Sequence, residues 1–310
     1  MADYLFNEAR FHDPEAAREH LEATRWPNGP VCPHCGAVDR ISKLQGKAHR
    51  PGVYDCGHCR DQFTVTVGTV FERSKISLDK WLFAAALMAS SKKGVSSKQI
   101  ERMLGLTYKT AWFMSHRLRE AMNGNGKGTG LLGSGGGTIE ADETFQGRKH
   151  GRRAKGGFAH KHAVFSLVER GGKVRSFHVP NVRAETLKAV MLAHMSTVAH
   201  LMTDDAGQYR ILGPISQTHS TVAHSLKEYV RGNVHTNTVE GFFSIMKRGL
   251  NGIYQHVSEQ HLQRYVNEYD FRYNHREKLG FDDEARTAEL LKGISGKRLT
   301  YRRINGAAQS

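Results

Sequence analysis

Residues 138–145 have the sequence TIEADETF, and this stretch decides the interpretation of the second half of the chain. It is typical of a strand that holds acidic residues. Two further strands are predicted at residues 162–169 (HAVFSLVE) and 174–179 (VRSFHV), with Gly171-Gly172 as the turn between them. The sequence therefore predicts three successive strands, of which the first carries carboxylates.

The segments after these strands alternate between helix and strand. A helix is predicted at residues 184–194, a fourth strand at residues 200–203, and two helices at residues 239–250 and 258–274. The fourth strand ends at Asp204. Acidic residues therefore lie in the first strand, at the end of the fourth strand and on a following helix.

Residues 123–137 (NGNGKGTGLLGSGGG) separate this domain from the first half of the chain. Glycine predominates and only two leucines are strongly apolar, so the stretch gains little by ordering. We expect a flexible Gly-rich linker that marks the main domain boundary and lets the two halves move separately.

Residues 74–122 are predicted to form a helix-turn-helix segment. Ser96 and Gln99 have capping-box spacing at the start of a short helix, and Gly105 makes the turn to a longer helix at residues 108–121. The longer helix offers candidate contacts to bases or phosphates in a major groove, namely Tyr108, Lys109, His116, Arg117 and Arg119. The alternative is an ordinary helical hairpin with a solvated face.

The four cysteines of the chain form two CxxC pairs, with 20 residues between the pairs: Cys32 and Cys35, then Cys56 and Cys59. Two tight turns of this kind can direct four thiolates to one tetrahedral Zn²⁺ ion. Disulfides are the alternative, but a reducing compartment disfavours them, and a redox CxxC is awkward for two pairs. His34 and His58 lie between the cysteines and are not needed as ligands.

The surrounding sequence fits a zinc ribbon over residues 31–70. Residues 53–55 and 62–67 alternate in the manner of strands. Such a small sheet has little core of its own and is held together by the metal. Residues 1–30 are predicted to be a helical lead-in. A zinc ribbon can bind DNA, bind protein or simply hold a fold together, and these roles stay open.

The balance of charge indicates the class of partner. The 310 residues contain 45 Lys and Arg against 30 Asp and Glu, a net charge of +15, with a pI near 9.8. Such a surplus favours nucleic acid as the partner, with a ribosomal or membrane-surface protein as the alternative. No apolar run approaches the roughly 20 residues that span a bilayer, and residues 1–10 lack a signal pattern. We expect a cytoplasmic protein.

A second concentration of cations lies in residues 147–155, between the first two predicted strands. Its five cations would suit a phosphate backbone: Arg148, Lys149, Arg152, Arg153 and Lys155. The alternative is a mobile basic loop without a defined contact. Residues 281–310 are predicted to be a basic C-terminal tail. Weaker candidates near the C-terminus are Arg264, Arg272, Arg276, Lys297 and Arg298.

Five motifs together resemble the IS1595-type (ISXO2-like) insertion-sequence transposases, which have a DDE active site on an RNase H-like fold. The resemblance covers nearly the whole chain. The motifs are Arg25-Trp26-Pro27, Glu140-Ala141-Asp142-Glu143-Thr144, Thr203-Asp204, residues 235–243 (HTNTVEGFF) with Lys247-Arg248-Gly249, and residues 271–276 (FRYNHR).

The resemblance implies a multi-domain chain: zinc ribbon, helix-turn-helix segment, and an α/β RNase H-like catalytic domain at residues 138–280 with a mixed sheet flanked by helices. It implies Asp142, Asp204 and Glu240 as ligands of two Mg²⁺ (or Mn²⁺) ions, and 35 residues separate the last two. Part of this group has asparagine at the third position, so Asn237 is the rival of Glu240; we favour Glu240 as the ligand, with Asn237 close by as an orienting or auxiliary ligand. Two ions about 4 Å apart bind the attacking and leaving oxygens of a phosphodiester.

Several neighbouring residues have simpler interpretations. We place Glu140 and Glu143 on the face of the strand opposite Asp142 and leave both out as ligands. Asp205 is the rival of Asp204, which is favoured by its position at the strand end. Lys247 lies two helical turns after Glu240, so it would anchor a phosphate beside the ions; alone it would be a solvated lysine.

The expected function is transposition. The chain would bind the terminal inverted repeats of an insertion sequence in double-stranded DNA, cleave a strand and transfer it to target DNA. It would work as a homodimer or higher oligomer in the bacterial cytoplasm, at the nucleoid. The alternatives are a DNA-binding regulator derived from a transposase and a nuclease without joining activity. The candidate DNA contacts are Lys109, Arg117, Arg148, Arg152, Arg153, Lys247 and Arg248.

Overall fold

The computed structural model describes residues 5–124, 130–151, 157–210, 215–226 and 228–300. The chain divides into two compact units. Unit 1 comprises Met1–Ser91, Val95–Met122 and Phe281–Ser310, and unit 2 comprises Lys92–Gly94 and Asn123–Gly280. In the described ranges, no helix is long and apolar enough to cross a membrane.

Unit 1 begins with two short 3₁₀ helices, Leu5–Asn7 and Ala9–Phe11, and the helix α1, Pro14–Arg25. Asp13 caps α1, because its carboxylate accepts hydrogen bonds from the first backbone N–H groups of the helix. Proline in the first position has no N–H to leave unpaired and so favours this start. The buried Leu21 lies on the inner face of α1.

A three-stranded antiparallel sheet follows α1. Its strands are β1 (Ile41–Lys43), β2 (Tyr54–Cys56) and β3 (Gln62–Phe63), in the order β1-β2-β3. The predicted strand at residues 62–67 is shorter than expected. The guanidinium of Arg25 donates to the carbonyl oxygens of residues 65 and 67, at 2.6 and 2.8 Å. These carbonyls therefore bind a side chain instead of a neighbouring strand.

Three helices form the rest of the N-terminal part of unit 1: α2 (Leu78–Ser90), α3 (Ser97–Leu104) and α4 (Tyr108–Ala121). The side chain of Ser96 caps α3 by accepting from the N–H of Gln99, as the capping-box spacing predicts. Gly105 ends α3 in the left-handed conformation (φ 61°), which glycine adopts without a steric penalty. A helix, a glycine turn and a second helix are thus present as predicted.

Unit 2 is built on a five-stranded mixed sheet in the order β6-β5-β4-β7-β8. Strands β4, β5 and β6 are antiparallel neighbours, whereas β7 pairs parallel to β4, and β8 pairs parallel to β7. A short hairpin of β9 (Val230–Arg231) and β10 (Val234–His235) follows. The strands of the sheet are β4 (Thr138–Gln146), β5 (His162–Glu169), β6 (Val174–Val179), β7 (His200–Asp204) and β8 (Thr218–Val222).

Helices cover both faces of this sheet. On one face, α5 (Ala184–His194) and the short α6 (Gly207–Arg210) pack on a core that includes Ile139, Ala141 and Leu187. On the other, α7 and α8 pack on a core that includes Val164, Val239 and Val266. Helix α7 (Asn237–Gly249) runs into a π-helical turn (Leu250–Tyr254), and α8 follows at Glu259–Asn274. A mixed sheet between helices confirms the predicted fold class.

The glycine-rich stretch is ordered over its second half. Leu132 is buried, its N–H donates to the carbonyl of His194, and its carbonyl accepts from the N–H of Ser196. Residues 130–137 therefore pack on the sheet of unit 2, because Leu132 supplies an apolar anchor. The prediction of a flexible linker is therefore wrong for residues 130–137. Residues 125–129 of the predicted linker lie outside the described part of the chain.

The stretch predicted to be a basic tail contains a helix. Helix α9 (Asp283–Lys292) packs on α2 within unit 1. Its first turn is capped by Asp282, whose carboxylate accepts from the N–H of Ala285 at 2.8 Å. Leu290, Leu291 and the following Ile294 are buried. These apolar residues give the segment a side that packs into the core of unit 1, which the prediction of a basic tail did not include. Residues 301–310 lie outside the described ranges.

Candidate active site

The strand register brings Asp142 and Asp204 to equivalent positions. Strand β4 pairs parallel to β7 with Ile139 opposite Leu201 and Glu140 opposite Met202. Asp142 and Asp204 each lie two residues beyond this last pair, so both follow the paired segment at the same distance. Successive side chains along a strand point to opposite faces of the sheet. Because both aspartates lie the same number of residues after a paired position, their side chains point to the same face. The two carboxylates that the sequence singles out thus lie side by side at one end of the parallel pair.

Burial and neighbouring charge hold the pKa of Asp142 at about 8, well above the ordinary value of 3.8. Burial is the largest cause, the charge of Glu143 is the next, and the charges of Asp204 and Glu240 add to them. The backbone N–H of Glu143, which donates to Asp142 at 2.7 Å, acts in the opposite direction. Four carboxyl groups from two strands and one helix therefore share one electrostatic environment.

This donor set suits a hard divalent cation. Among the described residues Asp142 has one hydrogen bond and no ion pair, so no protein cation offsets its charge. The oxygens of Asp142, Asp204 and Glu240 do not all come within 4.8 Å of one another in this part of the structure. Carboxylate oxygens are the donors that Mg²⁺ prefers, so the residues present fit Mg²⁺ in the chemistry of their donor atoms.

Asp205 faces away from this group. Its carboxylate accepts from the hydroxyl of Ser225 at 2.5 Å and lies 3.8 Å from the guanidinium of Arg210. The Ser225 hydrogen bond is the main reason that the pKa of Asp205 lies below its ordinary value. Asp204 instead accepts from the N–H of Ala206 at 3.1 Å. Of the two adjacent aspartates, Asp204 is the one whose charge is among the main causes of the raised pKa of Asp142.

Glu143 belongs to the same acidic group, although the strand pattern places it on the other face from Asp142. Tyr209 and Gln208 donate to its two oxygens at 2.5 and 2.6 Å. Burial raises the pKa of Glu143, the Tyr209 hydroxyl opposes this, and the charge of Asp204 raises it further. The charge of Asp204 therefore acts on both neighbours, Asp142 and Glu143. The alternation of side chains along β4 does not predict that Glu143 joins this group, because the interaction depends on residues of other elements.

Glu140 shares the face of Asp142, so its predicted position on the opposite face is wrong. Residues two apart in a strand point to the same side. The fully buried carboxylate of Glu140 accepts from the N–H groups of Thr238 and Val239, at 2.7 and 3.0 Å, in the first turn of α7. It also accepts from the guanidinium of Arg170 at 2.5 Å. Glu140 thus fixes the start of α7 against β4, two residues from Asp142.

Helix α7 presents Asn237 and Glu240 on its exposed side, in its first turn. The hydroxyl of Thr236 donates to the carboxylate of Glu240 at 3.1 Å. Lys247 lies two turns later and is half-buried, and the exposed Arg248 donates to the carbonyl of residue 244. The charge of Glu240 contributes to the raised pKa of Asp142. The helix therefore brings a third carboxylate within electrostatic range of Asp142.

The four cysteines of unit 1 form a separate cluster. Their sulfur atoms all lie within 4.8 Å of one another, and the distances from Cys32 to Cys59 and from Cys35 to Cys56 are both 3.7 Å. A tetrahedron with Zn–S bonds of about 2.3 Å has edges of about 3.8 Å. The cluster fits a structural Zn²⁺ ion.

Two of the cations predicted to contact DNA from α4 are wrong candidates. Arg117 is buried, and its guanidinium donates to the carbonyl of Glu72 at 2.6 Å. Arg119 is fully buried, and so is His116. Neighbouring helices of unit 1 cover this side of α4, and a sequence does not show which helices will do so. Lys109, at the other end of α4, is exposed.

The remaining predicted DNA contacts also include both exposed and buried residues. Arg148 is exposed in the loop after β4, and Arg152 and Arg153 lie outside the described residues. Arg272 is buried in an ion pair with Glu268 on the previous turn of α8, so it is a structural residue. Of the other candidates in unit 2, Arg148 and Arg248 are exposed, whereas Lys247, Arg264 and Arg276 are half-buried.

Comparison with known proteins matches both halves of the chain. The model of the ISXO2-like transposase domain (IS1595) matches residues 134–274, and that of the transposase zinc-ribbon domain (IS1595) matches residues 12–62. An uncharacterised protein in the transposable element ISH50 of Halobacterium salinarum is 28% identical over 280 residues, 84% of this chain and 91% of the relative. The chain therefore carries a zinc-ribbon domain followed by a transposase domain, and both match models of the IS1595 type of insertion-sequence transposase.

Proposed function

We propose that this chain binds the terminal inverted repeats of an insertion sequence, cleaves a DNA strand there and transfers that strand to a target. The observation that supports the proposal is an acidic group drawn from separate parts of the chain. Asp142 and Asp204 follow the same register of two parallel strands, and the charge of Glu240 acts on Asp142. This donor set belongs to a domain of the transposase family.

The proposed roles follow from the placement of the side chains. Asp142, Asp204 and Glu240 would hold Mg²⁺, with Asn237 beside them on the exposed side of α7. Bound Mg²⁺ would lower the pKa of the attacking water or hydroxyl and offset the charge that develops on the phosphate. Asp142 would lose its proton when the cation arrives, because a nearby positive charge favours the carboxylate. Lys247 would hold a DNA phosphate next to them.

The proposed partner is double-stranded DNA, consistent with the net charge of +15. Lys109, Arg148 and Arg248 are exposed and would contact phosphates. The zinc ribbon and the helix-turn-helix segment would hold the terminal repeats while unit 2 performs the chemistry. Two ends must be cut and joined together, so we propose at least a homodimer on DNA, acting in the bacterial cytoplasm.

The proposal is tested with the purified full chain, Mg²⁺ and a DNA duplex that carries the terminal repeats of the element. Asp142→Asn should lower cleavage at least a thousandfold, because it removes a ligand of the cation, and it should leave DNA affinity unchanged or higher, because it adds no negative charge. Asp205→Asn is the matched control, since Asp205 faces Ser225, and it should cleave within about threefold of the parent. Equal cleavage by the Asp142 variant and the parent would refute the assignment.

The products of the same assay separate the alternatives. Labelled ends joined to a second duplex indicate a transposase. Cleaved ends without joined products indicate a nuclease, and sequence-specific binding by the parent chain without any cleavage indicates a regulator. The 3′-hydroxyl left by cleavage is the nucleophile for joining, so Asp142→Asn should abolish joining of pre-cleaved ends as well.

A further inference from the structure

A second group of candidate metal ligands lies in unit 2, apart from the acidic residues. It consists of His162 on β5, His178 on β6 and Glu259, the first residue of α8. One ligand atom from each of the three lies within 4.8 Å of the other two. The side chains come from three separate elements and meet where the start of β5, the end of β6 and the start of α8 come together.

The ring of His162 has an unsatisfied nitrogen directed at this point. Its side chain is 4% exposed, and its Nδ1 atom is buried with no hydrogen-bond partner among the described residues. The nearest carboxylate oxygen, on Glu259, is 3.6 Å away, beyond hydrogen-bond range. A buried polar atom without a partner is costly and is rare in native proteins. A cation between Nδ1 and the carboxylate would satisfy both groups.

The donor types select the class of cation. Two imidazoles and one carboxylate are the ligands of Zn²⁺ and its neighbours among the transition metals, whereas Mg²⁺ prefers oxygen. Metal–ligand bonds of about 2.0–2.2 Å place the ligand atoms of a tetrahedral site about 3.4 Å from one another. The three ligand atoms here lie within 4.8 Å of one another, so a small movement of one side chain would bring them to bonding distance. Glu259 can make that movement, because its side chain is 61% exposed.

Three protein ligands leave a fourth position open. His162 and Glu259 also line a cavity of about 650 Å³, together with Gln146, Arg148 and His256. The open position is therefore accessible to water or to an anion from this basic cavity. A zinc site that keeps one position for an exogenous ligand has this three-ligand composition, in contrast to the four thiolates of the ribbon.

This group is separate from the carboxylates of the candidate active site. In the β4–β5 register Gln146 pairs with His162 and Asp142 pairs with Ser166. Four residues along a strand correspond to about 13 Å. An ion held by His162 would therefore lie too far from Asp142 to belong to a pair of ions about 4 Å apart.

We propose that His162, His178 and Glu259 bind a divalent cation of the zinc class, in addition to the ion held by the four cysteines. The proposal does not depend on the proposed function, because it concerns binding in the absence of DNA. An ion here would link the β5–β6 edge of the sheet to the first turn of α8, beside the basic loop that contains Arg148.

The test is the metal content of the full chain, loaded with Zn²⁺, dialysed against metal-free buffer and assayed by mass spectrometry. The parent should retain two ions per chain and Glu259→Gln one. Glu185→Gln is the matched control, because Glu185 is an exposed acid in the first turn of α5, and it should retain two. One ion in the parent, or two in the Glu259 variant, would overturn the proposal.

A second variant and a spectroscopic measurement separate loss of the site from damage to the fold. His178→Ala should also retain one ion, whereas His256→Ala, which changes the same cavity, should retain two. With Co²⁺ in place of Zn²⁺, the thiolate-to-cobalt absorption of the cysteine cluster should be equal in the parent and in all variants. An unequal thiolate signal in Glu259→Gln would show that the lost ion was that of the ribbon and would overturn the proposal.

Discussion

Asp270 on α8 is a buried carboxyl that the proposed chemistry does not use. One of its oxygens accepts from the backbone N–H of Ser176 on β6 at 2.7 Å. Burial raises its pKa from 3.8 to about 7, and the Ser176 hydrogen bonds and the charge of Arg175 only partly offset this. In the folded protein Asp270 therefore holds its proton to a higher pH than in the unfolded chain.

This shift predicts how stability depends on pH. Between about pH 4 and pH 7 the folded state binds a proton at Asp270 that the unfolded state has lost, so the free energy of unfolding falls as pH rises through that window. The loss is at most about 4 kcal/mol, since one pKa unit corresponds to about 1.4 kcal/mol. Asp270→Asn should remove this component. Urea unfolding of both proteins from pH 4.5 to pH 8 measures it, and parallel pH profiles would contradict the prediction.

At the scale of single residues, the sequence predicts those features that depend on one strand or one helix. Acidic residues in the first and fourth strands pointed to Asp142 and Asp204, and the register places them side by side. The involvement of Glu143 depends on a neighbouring strand and on Tyr209, so the sequence offered no signal for it. The position of Glu140 was predictable from strand alternation, which the prediction applied wrongly.

At the scale of elements, α7 is held in place by one buried carboxylate. Glu140 accepts from two N–H groups at the start of the helix and from Arg170, which in turn donates to the carbonyl of His235 just before α7. The partial positive charge of a helix N-terminus favours a carboxylate at this place. The distance between β4 and the helix that carries Glu240 therefore depends on Glu140.

Glu140→Gln is expected to destabilise unit 2 by about 3 kcal/mol, because it leaves the largely buried Arg170 without its counter-charge. The glutamine can still accept from α7, so the variant should fold. Urea unfolding measures the change, and Glu185→Gln, an exposed acid of a different helix, should shift the free energy by less than about 0.5 kcal/mol. Equal stability of the two variants would show that Glu140 does not anchor α7.

Most elements of unit 2 were predictable because their hydrophobic patterns are strong. Strands β5 and β6 and helix α5 have the predicted bounds. The structure differs from the prediction where a contact between residues distant in sequence determines the local structure. Arg25 binds the carbonyls that would have extended β3, and α9 forms in a stretch whose charges suggested a tail. Burial of Arg117 likewise depends on helices distant in sequence.

At the scale of the whole molecule, the net charge of +15 predicts a DNA affinity that falls steeply with salt. Arg148→Ala should reduce the slope of log affinity against log salt by about 0.9, the value for one phosphate contact. Lys188 is exposed on α5, across the sheet from α7, and Lys188→Ala should leave the slope unchanged. Fluorescence anisotropy from 50 to 300 mM salt measures both. An unchanged slope for the Arg148 variant would exclude that contact.

The most direct test of the account asks whether Asp142 touches the catalytic cation. Asp142→Cys replaces a hard oxygen ligand by sulfur, which Mg²⁺ binds poorly and the softer Mn²⁺ tolerates better. Cleavage of terminal-repeat DNA should be lost in Mg²⁺ and restored at least tenfold in Mn²⁺, whereas Asp205→Cys should cleave in both. Parent-level cleavage by Asp142→Cys in Mg²⁺, or a loss that Mn²⁺ leaves unchanged in a folded, DNA-binding variant, would contradict the central claim.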